Sequence, residues 1–239
     1  MRIDVYFTPL GPKEGDTTGR GAVVIDVLRA TTTIVTALAN GAKAVIPAAT
    51  SEEAVRLTSN LEKNGYLLAG ERRSLKIEGF QLGNSPLEMG ETVVKGKTIF
   101  LATTNGTPAL ISTQGAERVL VGAAVNFKAL TDRARALFVE RQELAIICAG
   151  RERQFALEDA YTAGRLVKAL KRGTKQLQLN DAAQVALALT TLYDSWEDAF
   201  EKSAAAQQLA EADLSEDVEF AAKADRFDTV PAYADRRIT

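Results

Sequence analysis

The stretch VVIDVLRATTT, residues 23–33, joins a run of apolar residues to a group of polar ones. The apolar run predicts a buried strand, and the threonines that follow predict the start of a helix. Asp26 and Arg29 stand between the two. Ligands of open α/β sheets bind beyond the carboxyl ends of the strands, so this strand end is where we expect a site.

Predicted strands alternate with predicted helices along most of the chain, and this order predicts the fold class. Apolar runs of strand length lie at 3–8, 22–28, 44–49, 66–69, 97–103, 118–122 and 143–149. Helical patterns lie at 51–63, 85–89, 107–112, 126–140, 157–172 and 181–194. Strands that alternate with helices indicate an α/β fold with a mixed, largely parallel sheet flanked by helices on both faces.

The C-terminal part of the chain has a different pattern. After about residue 181 it is Ala-rich and predicts a helical C-terminal region, with DVEFAA at 217–222 returning to the sheet as an edge strand. No repeat or low-complexity linker separates it from the rest, so we expect residues 1–239 to form a single domain.

Composition excludes several classes of function. The net charge of -2 gives no reason to expect a nucleic-acid partner, and no apolar run reaches the roughly 20 residues of a membrane helix. Cys148 is the one cysteine, which excludes an internal disulfide and favours a cytoplasmic location. There is no histidine, which removes histidine bases and HExxH zinc sites. An enzyme with this composition depends on carboxylates, hydroxyls, arginines, one thiol or a hard metal ion.

Polar residues follow four of the predicted strands. The carboxylates among them predict a Mg²⁺ site, because Mg²⁺ prefers oxygen ligands: Asp26, Glu71, Glu158 and Asp159. The arginines predict two-pronged contacts to phosphate or sulfonate: Arg29, Arg72, Arg151 and Arg153. The threonines at predicted helix starts favour a bound anion: Thr31, Thr32, Thr33 and Thr107.

Each of these features also has a structural interpretation. Asp26 and the threonines could cap a loop or a helix, and Glu158 with Asp159 could complement a helix dipole. Exposed arginines are commonly solvated, and a lone cysteine is commonly buried. Known phosphatase and nucleotide motifs do not fit, since C-x5-R would need arginine where the chain has Gln154, VIDVLRAT lacks the second acid of DxD, and no G-x-x-x-x-G-K-[ST] is present.

Four segments in order resemble the 2-phosphosulfolactate phosphatase family across about residues 3 to 175: VVIDVLRATTTIVTALANGA, GERRSLKIEGFQLGNSPLEM, TTNGTPAL and CAGRERQFALEDAYTAG. The resemblance implies an α/β fold distinct from haloacid dehalogenases. It also implies a Mg²⁺-dependent hydrolase that converts 2-phosphosulfolactate to sulfolactate on the route to coenzyme M. The positions that match the family motifs are Asp26, Arg29, Thr31, Thr32, Thr33, Glu71, Arg72, Asn84, Ser85, Thr104, Asn105, Gly106, Cys148, Gly150, Glu158 and Asp159.

Chemistry then suggests roles at these positions. The catalytic candidates are Asp26 and Glu158, with Cys148 as an alternative nucleophile to a carboxylate-activated water. The metal candidates are the four carboxylates. The substrate-binding candidates are Arg29, Thr31, Thr32, Thr33, Arg72, Asn84, Ser85, Thr104, Asn105, Gly106, Thr107 and Arg151. The partners that we expect are a small phosphorylated dianion and a second copy of the chain in a homodimer.

The chain departs from the family pattern at three places. Arg73 and Ser74 follow GER where the family has small residues, CAGRERQF stands where the family reads CAGTxGxF, and Ala205 stands in place of a family histidine. Two alternatives to the family activity therefore stay open. One is a phosphatase or lyase of another small phosphorylated acid, and the other is a catalytically silent protein that binds a dianion.

Overall fold

The computed structural model describes residues 1–62 and 64–239. The strands in this part of the chain are β1 (Arg2–Tyr6), β2 (Gly21–Ile25), β3 (Ala44–Ala48), β4 (Tyr66–Arg72), β5 (Leu75–Lys76), β6 (Thr98–Ala102), β7 (Arg118–Gly122), β8 (Glu143–Cys148), β9 (Gln178–Leu179), β10 (Ala232–Ala234) and β11 (Arg237–Ile238).

The α-helices of the same residues are α1 (Ala30–Ala39), α2 (Ser51–Thr58), α3 (Glu91–Val94), α4 (Gly106–Ile111), α5 (Phe127–Arg141), α6 (Leu157–Lys171), α7 (Asp181–Leu189), α8 (Trp196–Glu201), α9 (Ala204–Glu211) and α10 (Ser215–Ala222). Short 3-10 helices span Pro86–Glu88 and Ala124–Asn126. No helix of the described residues is long and apolar enough to cross a membrane.

The strands form one mixed sheet in the order β5-β4-β6-β3-β11-β10-β7-β2-β8-β1-β9. The long strands pair in parallel, and the antiparallel pairs all involve β5 or the C-terminal hairpin of β10 and β11. That hairpin lies between β3 and β7, where Ile238 pairs with Val45 and Ala232 pairs with Leu120. The end of the chain therefore joins the two parallel halves of the sheet.

Helices cover both faces of the sheet because its central strands are apolar on both sides. In β2, Val23 packs into a buried cluster that includes Leu130 of α5. The next residue, Val24, packs on the opposite face into a cluster that includes Ile34 of α1. Successive side chains of a strand point to opposite faces, so a continuous apolar run is what a doubly covered sheet requires. The predicted fold class is confirmed.

The predicted strands and helices match the observed elements, with shifts at their ends. All seven predicted strands are present, and each predicted helical segment contains a helix. The segment 51–63 is helical over Ser51–Thr58, and the Thr50 hydroxyl caps this helix by accepting a hydrogen bond from the backbone N–H of Glu53. Residue 63, at the end of the predicted segment, lies outside the described residues. The segment 181–194 contains α7, and the chain turns before α8.

The prediction of an edge strand at 217–222 is wrong. These residues lie in α10, where Asp217, Val218, Ala221 and Ala222 are buried on one face. The alternation of DVEF fits a strand over four residues, but the buried positions continue at helical spacing. The strands that return to the sheet are β10 and β11, which are only three and two residues long.

Candidate active site

Four strand ends meet at one cavity of about 520 Å³. Asp26 follows β2, Glu71 and Arg72 end β4, Thr103 follows β6, and Gly150 follows β8 at the second residue. The predicted convergence of polar strand ends is therefore present. Nine of the residues that were predicted as catalytic, metal-binding or substrate-binding line the cavity: Asp26, Arg29, Glu71, Arg72, Asn84, Thr104, Asn105, Arg151 and Glu158.

Asp26 is a buried acid between β2 and the start of α1. Its Oδ1 accepts a hydrogen bond from the N–H of Ala30, the first residue of α1, at 3.3 Å. A Cβ atom at Gly106 would lie 2.9 Å from its Oδ2, so glycine leaves the room that this carboxylate occupies. The pKa of Asp26 is raised to about 7, mainly by burial and to a smaller extent by the charges of Glu71 and Glu158, against the lowering effects of the Ala30 N–H and of Arg29.

Glu158 and Asp159 begin α6 and have different surroundings. Glu158 lines the cavity, and burial raises its pKa to about 7, although the nearby charge of Arg151 lowers it. Asp159 does not line the cavity; its Oδ1 accepts from the N–H of Val27 at 2.9 Å and its Oδ2 accepts from the N–H of Gly150 at 3.1 Å. Asp159 thus ties the end of β2 to the end of β8. Burial, then the charges of Glu158 and Asp26, raise its pKa well above the usual value.

Glu71 likewise accepts two backbone hydrogen bonds, on the other side of the cavity. Its Oε1 accepts from the N–H of Thr104 at 2.9 Å, and its Oε2 accepts from the N–H of Ser74 at 3.0 Å. These bonds fix the turn between β4 and β5 and the loop after β6. Both Glu71 and Asp159, predicted as metal ligands, therefore use each carboxylate oxygen to hold backbone.

The predicted arginines lie in three different environments. Arg29 is buried, and its Nη1 donates to Asp217 of α10 at 2.7 Å while its Nη2 donates to the carbonyl of Ser74 at 2.6 Å. Arg151 is half-buried, and its Nε donates to Oε1 of Gln208 at 2.9 Å. Arg72 is exposed and lies against α2. Arg153, the fourth predicted arginine, is exposed and does not line the cavity.

The three consecutive threonines shape the site from behind. Thr31 accepts a hydrogen bond from the N–H of Asp26 at 3.0 Å. Thr32 donates to the carbonyl of Val27 and Thr33 donates to the carbonyl of Asn84, each at 2.8 Å. All three are buried and none lines the cavity. Each hydroxyl has a backbone partner, so these side chains position the end of β2 and do not present their hydroxyls to a ligand in the cavity.

Three further predicted residues lie off the cavity. Ser85 donates its hydroxyl to Oδ1 of Asp217 at 2.5 Å and accepts from the N–H of Leu87. The N–H of Thr107 donates to the hydroxyl of Thr103 at 3.2 Å, inside the start of α4. Gly106 provides the close approach to Asp26 described above. These residues support the walls of the site.

Cys148 is the last residue of β8 and is fully buried in the apolar cluster on the α5 and α6 side. Burial, then the charges of Asp159 and Glu158, raise the pKa of its thiol well above the usual value. A thiolate is the nucleophilic form of cysteine, and this environment opposes it. The geometry gives no support to the alternative in which Cys148 attacks the substrate.

The residues that face the cavity fit Mg²⁺ through a small set of oxygens. Among the described residues, no group of three or more acids or cysteines is arranged to hold a metal ion, so the four predicted carboxylates do not form one cluster. Mg²⁺, however, is commonly held by one or two carboxylates with waters and substrate phosphate. Asp26 and Glu158 supply carboxylates, and the buried Oδ1 of Asn84 has no hydrogen-bond partner in the described part of the chain.

Several residues at the site were missed by the sequence analysis. Asp217 pairs with Arg29 and Ser85 from α10, and Gln208 reaches Arg151 from α9. Ala205 of α9 and the turn residues Arg73 and Ser74, which the sequence analysis identified as departures from the family pattern, also line the cavity. Asp217 could have been found from the helical spacing of its segment, which places an acid on an apolar face.

The fold and the cavity together define an α/β protein with a buried acidic and arginine-lined site at the carboxyl edge of a largely parallel sheet. The family model of 2-phosphosulpholactate phosphatase matches residues 6–236 of the chain. The chain therefore belongs to the 2-phosphosulpholactate phosphatase family.

Similar proteins carry matching names. A probable 2-phosphosulfolactate phosphatase of Caldanaerobacter subterraneus subsp. tengcongensis is 40% identical over 97% of this chain and 95% of its own length. One of Thermotoga maritima is 40% identical over 96% of this chain and 94% of its own length. One of Clostridium acetobutylicum is 37% identical over the full length of both.

Proposed function

We propose that the protein is a Mg²⁺-dependent phosphoric monoester hydrolase that converts 2-phosphosulfolactate to sulfolactate and phosphate. Family membership and the names of the similar proteins support the substrate. The observation that carries the chemistry is the pair of buried acids, Asp26 and Glu158, in a cavity with Arg29 and Arg151. Phosphoryl transfer depends mainly on positioning and on neutralising charge, which this arrangement can provide.

We assign Mg²⁺ to the carboxylate of Asp26 and to Oδ1 of Asn84, which has no hydrogen-bond partner among the described residues. When bound, the ion supplies charge neutralisation for the phosphate oxygens and orients a water molecule. The donor set is small, as is usual for Mg²⁺ sites completed by substrate phosphate. Glu71 and Asp159 act on the site through backbone, because each holds two loop N–H groups.

Glu158 is the residue that we assign as general base. It faces the cavity, and its pKa is raised to about 7 by burial. A carboxyl group with this pKa can take a proton from an attacking water near neutral pH. The proton passes to the Glu158 carboxylate, the water oxygen bonds to phosphorus, and the ester oxygen leaves with the phosphorus–oxygen bond electrons. The leaving oxygen takes a proton from solvent water to become the hydroxyl of sulfolactate, and Glu158 returns its proton to solvent.

The cellular context of the reaction is part of the same proposal. We propose that the reaction belongs to the route to coenzyme M and takes place in the cytoplasm, a location that a single buried thiol supports. A homodimer stays a prediction that light scattering would test.

Phosphate release is the measurement that tests the function. The purified protein is incubated with 2-phosphosulfolactate and a panel of phosphorylated hydroxy acids, each with Mg²⁺ and with EDTA. We expect release that requires Mg²⁺ and is fastest with 2-phosphosulfolactate. No release from any compound by the folded protein would refute the proposal and favour a protein that only binds a dianion.

A second candidate function is a phosphatase of a different small phosphorylated hydroxy acid. Arg73, which departs from the family pattern, lines the rim of the cavity and adds a positive charge there. The same panel separates the two candidates, because a different compound would then give the highest kcat/KM.

A further inference from the structure

Arg151 has a side chain that is anchored at one nitrogen only. Its Nε donates to Oε1 of Gln208 at 2.9 Å, and within the described residues neither terminal nitrogen has a hydrogen-bond partner. The guanidinium is planar and can present its two terminal N–H groups as a fork to an anion. Gln208 therefore fixes the orientation of Arg151 and leaves the fork for a ligand.

The backbone of Arg151 is held as firmly as its side chain. Its N–H donates to the carbonyl of Gln154 at 3.0 Å, and its carbonyl accepts from the N–H of Gln154 at 2.8 Å. The next residue, Glu152, donates its N–H to Oδ1 of Asn105 across the cavity at 3.1 Å. An anchored backbone and an anchored Nε give a pre-organised group, which loses little freedom when a ligand binds.

The other arginines of the cavity do not offer such a fork. Arg29 uses Nη1 for Asp217 and Nη2 for the carbonyl of Ser74. Arg72 has a side chain that is 68% exposed and approaches Glu52 of α2. Arg73 is exposed at the turn after β4. Arg151 is therefore the arginine of this cavity that is both anchored and available at its two terminal nitrogens within the described residues.

Arg151 reaches a part of the site that Asp26, the acid assigned to the metal, does not reach. Both residues line the main cavity, but Arg151 also lines a neighbouring cavity of about 210 Å³, together with Glu158, Ala205 and Lys202. A ligand whose phosphate lies at Asp26 can therefore extend toward the neighbouring cavity and present another part of itself to Arg151.

We propose that Gln208 is a positioning residue that holds Arg151 to bind the non-reacting acid group of the substrate, a carboxylate or a sulfonate. This inference rests on the proposed function and adds a specificity determinant to it. The substrate class that the site selects is then a phosphate ester that carries a second anionic group, and the energy of that contact depends on Gln208 through Arg151.

The experiment compares variants on a series of phosphate esters. The variants are Gln208→Ala, Arg151→Ala and the double variant, with Gln207→Ala and Arg153→Ala as controls, because Gln207 and Arg153 are exposed neighbours that do not line the main cavity. The esters are 2-phosphosulfolactate, 2-phospholactate, which lacks the sulfonate, and isopropyl phosphate, which lacks both acid groups. Circular dichroism confirms that each variant is folded.

We expect Gln208→Ala to raise KM for 2-phosphosulfolactate about tenfold, with kcat within about twofold of the wild-type value. Arg151→Ala should raise KM about a hundredfold, because hydrogen bonds to a charged group of the substrate are lost. The double variant should match Arg151→Ala, because Gln208 acts through Arg151. The KM effect should be absent with isopropyl phosphate and with both controls. Loss of the effect at 2-phospholactate would identify the sulfonate as the bound group, and loss only at isopropyl phosphate would identify the carboxylate.

An equal effect on all three esters, an effect on kcat alone, or additive effects in the double variant would overturn the inference. Calorimetry with sulfolactate, which has no phosphate, provides a readout that does not need turnover. If the wild-type protein hydrolyses none of the esters, the proposed function fails. Even then, weaker sulfolactate binding by Gln208→Ala than by Gln207→Ala would support the role of Gln208, and equal binding would overturn it.

Discussion

Asp26 lowers the stability of the folded protein when it is ionised, and it binds Mg²⁺ in the proposed reaction. It is buried at the end of β2, and its ionised form has lost most of its hydration, which is why its pKa is raised to about 7. The N–H of Ala30 compensates only in part. A cation beside Asp26 would remove the cost, so the same burial that disfavours the bare carboxylate favours a bound metal ion.

The variant Asp26→Asn tests both the role of Asp26 in metal binding and its effect on stability. The amide keeps the shape but removes the charge, so we expect kcat/KM with Mg²⁺ to fall at least about a hundredfold. The melting temperature without metal at pH 8 should stay the same or rise, because a buried ionised group has been removed. Phosphate release and thermal unfolding measure the two effects, and full turnover in this variant would refute the assignment of Asp26.

The residue types at the site could be predicted from the sequence, but several of their directions could not. Thr31, Thr32 and Thr33 were identified at the start of a helix, and their hydroxyls point to backbone groups of Asp26, Val27 and Asn84. The direction of a hydroxyl depends on the backbone that packs against it. For Thr33 this backbone is that of Asn84, 51 positions away in the sequence. Local pattern carries no information about such a partner.

Helix α10 is the element that connects the C-terminal region to the site. Asp217 accepts hydrogen bonds from Arg29 at 2.7 Å and from Ser85 at 2.5 Å, and all three residues are buried. The pair of Arg29 and Asp217 spans 188 positions of sequence. Removing one partner of a buried pair leaves the other charge without compensation, which is strongly destabilising.

Asp217→Asn therefore should lower the free energy of unfolding by about 3 kcal/mol. Urea unfolding followed by circular dichroism gives this value. Glu219→Gln is the control on the same helix, because Glu219 is exposed, and we expect its effect to stay within about 0.5 kcal/mol. Similar small changes in both variants would show that the buried pair does not hold α10 in place.

Helices α6 and α7 depend on a close contact at Gly164. A Cβ atom there would lie 1.9 Å from the carbonyl oxygen of Ala186, which is backbone and cannot move aside easily. We expect Gly164→Ala to lower the free energy of unfolding by about 2 kcal/mol. Gly90→Ala serves as the control, since among the described residues, apart from its chain neighbours, no heavy atom lies within 4 Å of a Cβ at Gly90. A loss at Gly164 no larger than at Gly90 would contradict the close packing.

Elements with a full apolar period could be predicted, and the two short strands near the C-terminus could not. The strand at 22–28 and the helix at 157–172 carry enough residues for their periods to be distinguished. In contrast, β10 and β11 have three and two residues and owe their existence to pairing with β7 and β3. DVEFAA is short enough to fit both periods over its first residues, and its burial in the folded protein decides for the helix.

On the scale of the whole molecule, the site is assembled by the sheet and completed by the C-terminal helices. Its location at the strand ends could be predicted because parallel strands place their carboxyl ends at one edge. The contribution of α9 and α10 could not, because Gln208 and Asp217 meet Arg151 and Arg29 only through the tertiary fold. The residues that position Arg151 and Arg29 are thus farther along the chain than the strand-end residues that line the cavity.

The coupling between this site and the stability of the whole protein gives a prediction for pH and Mg²⁺. The pKa values of Asp26 and Glu158 are raised to about 7, so between about pH 4 and about pH 7 the folded protein binds more protons than the unfolded chain. Stability contributed by these groups therefore falls as pH rises through this range, and the cost of the ionised acids is fully present above it. A bound cation offsets that cost only where the acids are ionised.

We therefore expect Mg²⁺, compared with EDTA, to raise the melting temperature more at pH 8 than at pH 5.5. Thermal unfolding of the wild type and of the double variant Asp26→Asn, Glu158→Gln separates these groups from all other titrating residues, because the others are common to both proteins. The variant should lose both the Mg²⁺ effect and the fall in stability between pH 5.5 and pH 8 that belongs to the two acids. A Mg²⁺ effect that is equal at both pH values, or that persists in the variant, would place the metal elsewhere in the protein.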